Sequence, residues 1–234
     1  MRAISIALVV TYNRLKVSNK AQRVCELMST KDSLIALKNA ASSITVNENL
    51  SGLQWMKKVF TTDGTQAAFL SESKLALDTD GKEVTGIDYS PDQYHEPQTS
   101  FDQSGAWLSS NDINYIVLPE LFGTPLNGTA PRHGGIALGC LATVLYGTAF
   151  GHAIFADEGP PTDYGEGSIR LQGILGNPCI ENGAVVDSGI DNDVWILIYI
   201  GSNIGATPCT QAQIDAAAQP LWEAFTGLSA GPTP

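Results

Sequence analysis

The stretch FADEGPPTDYGEGSIRL, residues 155–171, sets two carboxyls, Asp157 and Glu166, at the ends of a loop built from prolines and glycines. Two carboxyls are the minimum equipment for cutting a glycosidic bond. One must be protonated, to give a proton to the leaving oxygen. The other must be ionised, to activate water or attack the sugar. Asp157 follows the strand pattern of GHAIFA, and loop-facing strand ends are common catalytic positions. Glu166 stands between Gly165 and Gly167, so backbone or a ligand chain can approach closely on both sides. Glu is also a poor turn residue, unlike Asp. Turn chemistry is the competing reading of the loop, and a nine-residue offset does not fix the distance between the carboxyls in space.

A second acidic stretch, ALDTDGK at 76–82, carries Asp78 and Asp80. Asp80 precedes Gly81 in a turn signal, which by itself explains an aspartate there. Asp78 interrupts the alternation of Leu75 and Leu77, where a carboxylate is unexpected; it lines a groove or caps a neighbouring backbone group. Glu120 follows the strand pattern INYIVLP, and Asp163 lies inside the first loop. Tyr115, Tyr164 and Trp107 are near these segments and could offer ring faces to a sugar, although an aromatic within a strand is more often core.

These residues need a scaffold. From about residue 52, short apolar runs alternate with Gly, Asp and Pro turns, and the runs at 67–70, 74–78, 113–119, 136–146, 150–156, 168–172 and 194–200 read as strands. Their number and spacing predict a mainly-β barrel or sandwich and not repeated βαβ units. Residues 19–42 carry apolar side chains at helical spacing, and 211–225 reads as a closing helix that Pro220 should kink or split. The polar stretch 81–112 has few strand signals, a length that marks a functional or poorly ordered loop. The chain thus divides into a helical extension, 1–50, and a β domain, 51–228.

Composition narrows the function. With a net charge of −11, the protein repels nucleic acid phosphates and anionic membranes and attracts a polycation. The four cysteines form no C-x-x-C, and His95, His133 and His152 stand at no metal-ligand spacing, so neither a zinc site nor a cofactor is expected. Cys179 and Cys209 lie beside prolines and could bridge in an exported protein, whereas Cys25 and Cys140 lie in apolar patterns and read as buried thiols. No segment is long enough to span a membrane, and MRAISIALVV lacks a small-residue cleavage site after its apolar run. The Gly-x-Ser-x-Gly elbow of serine hydrolases and the glycine fingerprints of nucleotide-binding folds are missing.

Four segments, KLALDTDG, INYIVLPELF, LGCLATVLYGTAFGHAIFADEGPPTDYGEGSIRL and VWILIYIGS, occur in an order that resembles glycoside hydrolase family 75, the fungal-type chitosanases. The likeness spans about residues 65–202, and its most specific part is Asp-x-Gly-Pro followed by Gly-Glu-Gly-Ser. Residues 1–50 show nothing of the family. The resemblance implies an inverting endo-glycosidase acting on chitosan, a polymer of β-1,4-linked glucosamine, on a barrel of the double-psi kind. It implies Glu166 as general acid and Asp157 as general base, with the two roles open to exchange, and secretion as the location. Chitosan is a polycation in mildly acidic water, so Asp78, Asp80, Glu120 and Asp163 are expected to grip its ammonium groups and Tyr164 to contact its sugars. Glu166 must then be held protonated, which predicts an acidic pH optimum. A non-catalytic carbohydrate-binding protein and a barrel protein active on peptidoglycan are the alternatives.

Overall fold

The computed structural model describes residues 19–43, 50–101, 107–120, 135–186, 188–204 and 209–228. The N-terminal apolar run and the 229–234 tail lie outside the described residues. In chain order the elements are α1 (Asn19–Ala40), β1 (Ser42–Ser43), β2 (Leu53–Phe60), β3 (Ala67–Asp78), β4 (Tyr115–Pro119), β5 (Leu141–Tyr146), β6 (Ala149–Gly159), β7 (Glu166–Ser168), α2 (Ile169–Ile174), β8 (Ile180–Glu181), β9 (Ala184–Val185), β10 (Ile190–Tyr199) and α3 (Gln211–Thr226).

Six strands close into a barrel in the order β3-β10-β5-β6-β4-β7, with β7 returning to β3. The pairs β4–β6 and β3–β7 are parallel, and the other four in the ring are antiparallel. The expected mainly-β barrel with flanking N- and C-terminal helices is therefore the fold of the chain. β1 and β2 extend the sheet from β3, and β8 and β9 form a small sheet of their own.

The period-two alternation of strands sorts the core into two layers. In β10, Val194, Ile196 and Ile198 join Phe69, Leu75, Ile116, Val144 and Phe155 inside the ring. Trp195, Leu197 and Tyr199 point the other way, into a layer completed by Ile214, Ala218, Trp222 and Phe225 of α3 and Leu34 of α1. The Trp222 ring stacks on Phe150 of β6 at 5.4 Å between centroids. Thr210 caps α3 through a capping box with Gln213, and Gly227 ends it at φ 69°.

Several local expectations change. The runs 67–70 and 74–78 are one strand, β3. Residues 168–172 are not a strand: Ser168 ends β7, and its hydroxyl accepts the Leu171 amide as the N-cap of α2. β2 escapes the apolar pattern because Lys57 and Lys58 interrupt it. Pro220 does not split α3, which runs unbroken from Gln211 to Thr226. Proline removes one helical hydrogen bond there, and burial of Ala218 and Trp222 on either side holds the helix together. Cys140 and Cys179 are buried free thiols, so no bridge joins Cys179 to Cys209.

Candidate active site

β4 is the spine of the site. Val117 pairs with Asp157 of β6 on one side and with Glu166 of β7 on the other. Both carboxylates thus sit one strand away from the same residue, and all three line one cleft of about 420 Å³. Asp157 does not end its strand as expected; β6 continues through it to Gly159. The pairing instead slips by one residue at Ala156, since Phe155 opposes Ile116 while Asp157 opposes Val117. Ala156 packs in the outer core layer and Asp157, on the same side, faces the cleft. A bulge of this kind re-aims a side chain without breaking the strand.

Asp157 is only 6 % exposed. Its Oδ1 accepts the Ser100 amide at 2.9 Å, the Ser100 hydroxyl, and the Glu158 amide at 2.9 Å. The carboxyls of Asp78, Asp80 and Asp157 each place an oxygen within 4.8 Å of the others, a set that could hold a cation. Burial pushes the Asp78 carboxyl well above the usual carboxylate range, and the charges of Asp80 and Asp157 push it further. Its Oδ1 is held by the Tyr115 hydroxyl at 2.8 Å and the Asp80 amide at 2.7 Å. Asp80 is pushed up to about 7, first by burial, with the charge of nearby Asp157 adding to the rise and the Glu96 amide opposing it.

Glu166 stands across the cleft. Burial raises its pKa, Asp163 and Asp157 add to the rise, and Lys74 opposes it. No hydrogen bond or ion pair holds its carboxyl among the described residues. Gly159 clears space for it: a Cβ there would lie 3.3 Å from Glu166 Oε2 and 3.1 Å from Val117. The glycines beside Glu166 answer to a different neighbour than the sequence suggested. Gly165 has φ 86°, and a Cβ on it would meet the Lys74 carbonyl at 2.3 Å, while one on Gly167 would meet Leu75 and Leu171 at 3.1 Å. They let β3 approach β7 closely and are not an opening for ligand.

Of the residues chosen from sequence, Asp78, Asp80, Asp157, Asp163 and Glu166 line the cleft together. Asp163 is not free to grip a cation, since Lys74 Nζ lies 2.9 Å from both of its carboxylate oxygens. Glu120 is exposed beyond the end of β4, donates its amide to Gly159, and is not part of the lining. Tyr164 cannot contact a sugar: it is 0 % exposed, and its hydroxyl meets Ser71 Oγ at 2.8 Å inside the barrel. Tyr115 is equally buried and acts on Asp78 instead of on ligand. Trp107 is exposed but does not line the cleft.

Among the described residues, the lining also holds Asp92, Tyr94 and Glu158, none of them singled out in the sequence. Asp92 and Tyr94 come from the polar stretch after β3. The Thr79 hydroxyl donates to Asp92 Oδ2 at 2.7 Å, and Asp92 Oδ1 in turn takes the Tyr94 amide at 3.0 Å, so the turn is tied to the end of β3. Tyr94 is left 78 % exposed at the lip of the cleft. Among the described residues, every charged residue of the lining is an acid. Compared with known proteins, the chain matches no family model and no curated protein.

Proposed function

We propose that this protein is an endo-acting chitosanase that hydrolyses β-1,4 bonds of chitosan with inversion. The observation that carries the reading is the placement of Asp157 and Glu166 on the two sides of Val117 in an all-acidic cleft. Two inter-strand spacings of ~4.8 Å separate their backbones by roughly 9–10 Å. That suits an inverting pair, whose carboxyls stand ~6.5–9.5 Å apart with water between, better than a retaining pair at ~5–5.5 Å. The six-stranded ring with two parallel pairs suits the barrel that the family resemblance implies.

Glu166 serves as general acid. It is half-buried among acids, burial and the charges of Asp163 and Asp157 raise its pKa above the usual glutamate value, and no hydrogen bond or ion pair holds its carboxyl among the described residues. Asp157 serves as general base. One of its oxygens is fixed by Ser100 and Glu158, which orients the carboxylate toward a water on the far side of the sugar. The acid cleft attracts the ammonium groups of the substrate, and the net charge of −11 gathers the polymer at longer range. A polymer substrate of this size places the enzyme outside the cell.

The test is reducing-end release from highly deacetylated chitosan, wild type beside Glu166→Gln. Release by the wild type and a loss of roughly 10²–10⁴-fold in the variant, with binding kept, supports the assignment. Binding without release by either protein would leave a carbohydrate-binding module. Release of muropeptides from peptidoglycan in place of chitosan fragments would move the activity to the cell wall.

A further inference from the structure

The catalytic cleft does not end at Tyr94. A second hollow of about 200 Å³, lined by Leu77, Pro91, Asp92, Gln93, Tyr94 and Val185, shares three of these residues with it. A third, of about 410 Å³, is lined by Glu83, Ile87, Asp88, Tyr89, Ser90, Asp92 and His95. Asp92 borders all three. Among the described residues, neither added hollow is lined by Lys or Arg.

The third hollow has a built floor. His95 stacks on Tyr89 with centroids 4.7 Å apart and planes 22° apart. Its Nδ1 meets the Thr79 hydroxyl at 3.0 Å. Its side chain is only 10 % exposed, and Nε2 makes no hydrogen bond among the described residues; Glu83 Oε1, 3.3 Å away, pairs with it only when the ring is protonated. A buried polar atom left in this state asks for a partner. The wall above it is anionic: Ser90 holds the Asp88 carboxyl below the usual carboxylate range, so it stays charged in mild acid. Glu83 is 62 % exposed and able to swing toward a ligand.

We propose that the hollow walled by Glu83 and Asp88 and floored by Tyr89 and His95 is a remote subsite, holding a protonated glucosamine unit of a chain that crosses Tyr94 on its way from the scissile bond. This rests on the chitosanase reading. The ammonium group is held by the carboxylates, a ring hydroxyl reaches His95 Nε2 as Glu83 moves, and the exposed ring of Tyr94 supports a sugar face between the two sites. The ligand class is a cationic aminosugar chain longer than the catalytic cleft alone accommodates.

The experiment is calorimetric titration of Glu166→Gln, which does not consume its ligand, with glucosamine oligomers from dimer to octamer. Tyr94→Ala, Asp88→Asn and Glu83→Gln are each added to it. Asn keeps the side-chain oxygen that accepts the Ser90 amide, and Tyr94 is exposed, so these changes leave the fold in place; melting curves verify this. Affinity is expected to rise with length, and each added substitution should remove about five- to tenfold of that gain. Unchanged length dependence in all three variants would overturn the subsite. Failure of the wild type to cut chitosan is a separate result and would overturn the enzyme reading instead.

Discussion

Asp80 and Asp157 line one cleft with carboxyl oxygens within 4.8 Å of each other, and the negative charge of Asp157 adds to the burial that raises Asp80. The pKa of Asp80 rises from 3.8 to about 7. A carboxyl raised on folding binds more protons in the native than in the unfolded state between these two values. Its contribution is full below 3.8 and is lost as pH rises through about 7. Asp78 shifts in the same direction. Thermal stability should therefore be higher at pH 5 than at pH 8. Asp80→Asn, which cannot ionise, should flatten the slope and melt above the wild type at pH 8, by roughly 2–4 °C for each kcal/mol of repulsion relieved. Melting temperature against pH for both proteins measures this. A parallel pair of curves would show that Asp80 is not raised by its surroundings.

The spacing across Val117 makes a stereochemical prediction. Under the proposed roles, water activated by Asp157 would attack the face opposite the leaving group, so a β-linked chain should release the α-anomer first. Proton NMR of products in the first minutes, before mutarotation, reads the outcome. Asp157→Asn should lower kcat by roughly 10²–10⁴-fold while leaving affinity for oligomers nearly unchanged. First appearance of the β-anomer would make one carboxyl a nucleophile and contradict the two-strand separation.

The sequence singled out Asp157 and Glu166, which the fold brings into one cleft, because a carboxylate beside an apolar strand, and a glutamate in a glycine-rich loop, break local patterns. It also flagged Asp78, a charge inside an alternating strand, which the fold encloses beneath Tyr115. Contacts between distant segments were not legible. The Ala156 bulge exists only in the pairing of β6 with β4, and nothing local distinguishes it from continuous strand. Asp92 and Tyr94 reach the cleft through Thr79, thirteen residues before Asp92. Tyr164 looked like a cleft residue because Asp163 and Gly165 flank it in a loop, but its partner Ser71 is 93 residues away on β3. The glycines around Glu166 were noticed for their freedom, and what fills that freedom, the Lys74 carbonyl, is a tertiary fact.

Tyr115 separates a positioning role from a binding one. Its hydroxyl reaches Asp78 Oδ1 and the Asp80 carbonyl, both at 2.8 Å, and its ring is wholly buried. Tyr115→Phe keeps the packing and removes that donor. It should lower stability by about 1 kcal/mol and leave KM for chitosan oligomers unchanged, since no sugar touches the ring. A melting shift of roughly 2–4 °C with an intact KM is the expected pairing. A large rise in KM with no loss of stability would return Tyr115 to the ligand surface.

Under the chitosanase reading, charge should govern how the protein meets the polymer. Among the described residues the lining of the cleft carries no Lys or Arg, and the chain as a whole is at −11. Attraction between a polycation and such a surface acts over distances comparable to the Debye length, ~10 Å at 0.1 M salt, and is screened beyond it. Encounter should therefore weaken with ionic strength, while the chemical step, inside a cleft that already excludes part of the solvent, should respond far less. Initial rates on deacetylated chitosan across a salt series should show KM rising severalfold and kcat nearly level. Raising the acetylated fraction removes ammonium groups and should flatten the salt dependence in proportion. A KM that ignores salt on fully deacetylated polymer would mean that contacts within the cleft, and not the field of the acidic surface, bring the chain in.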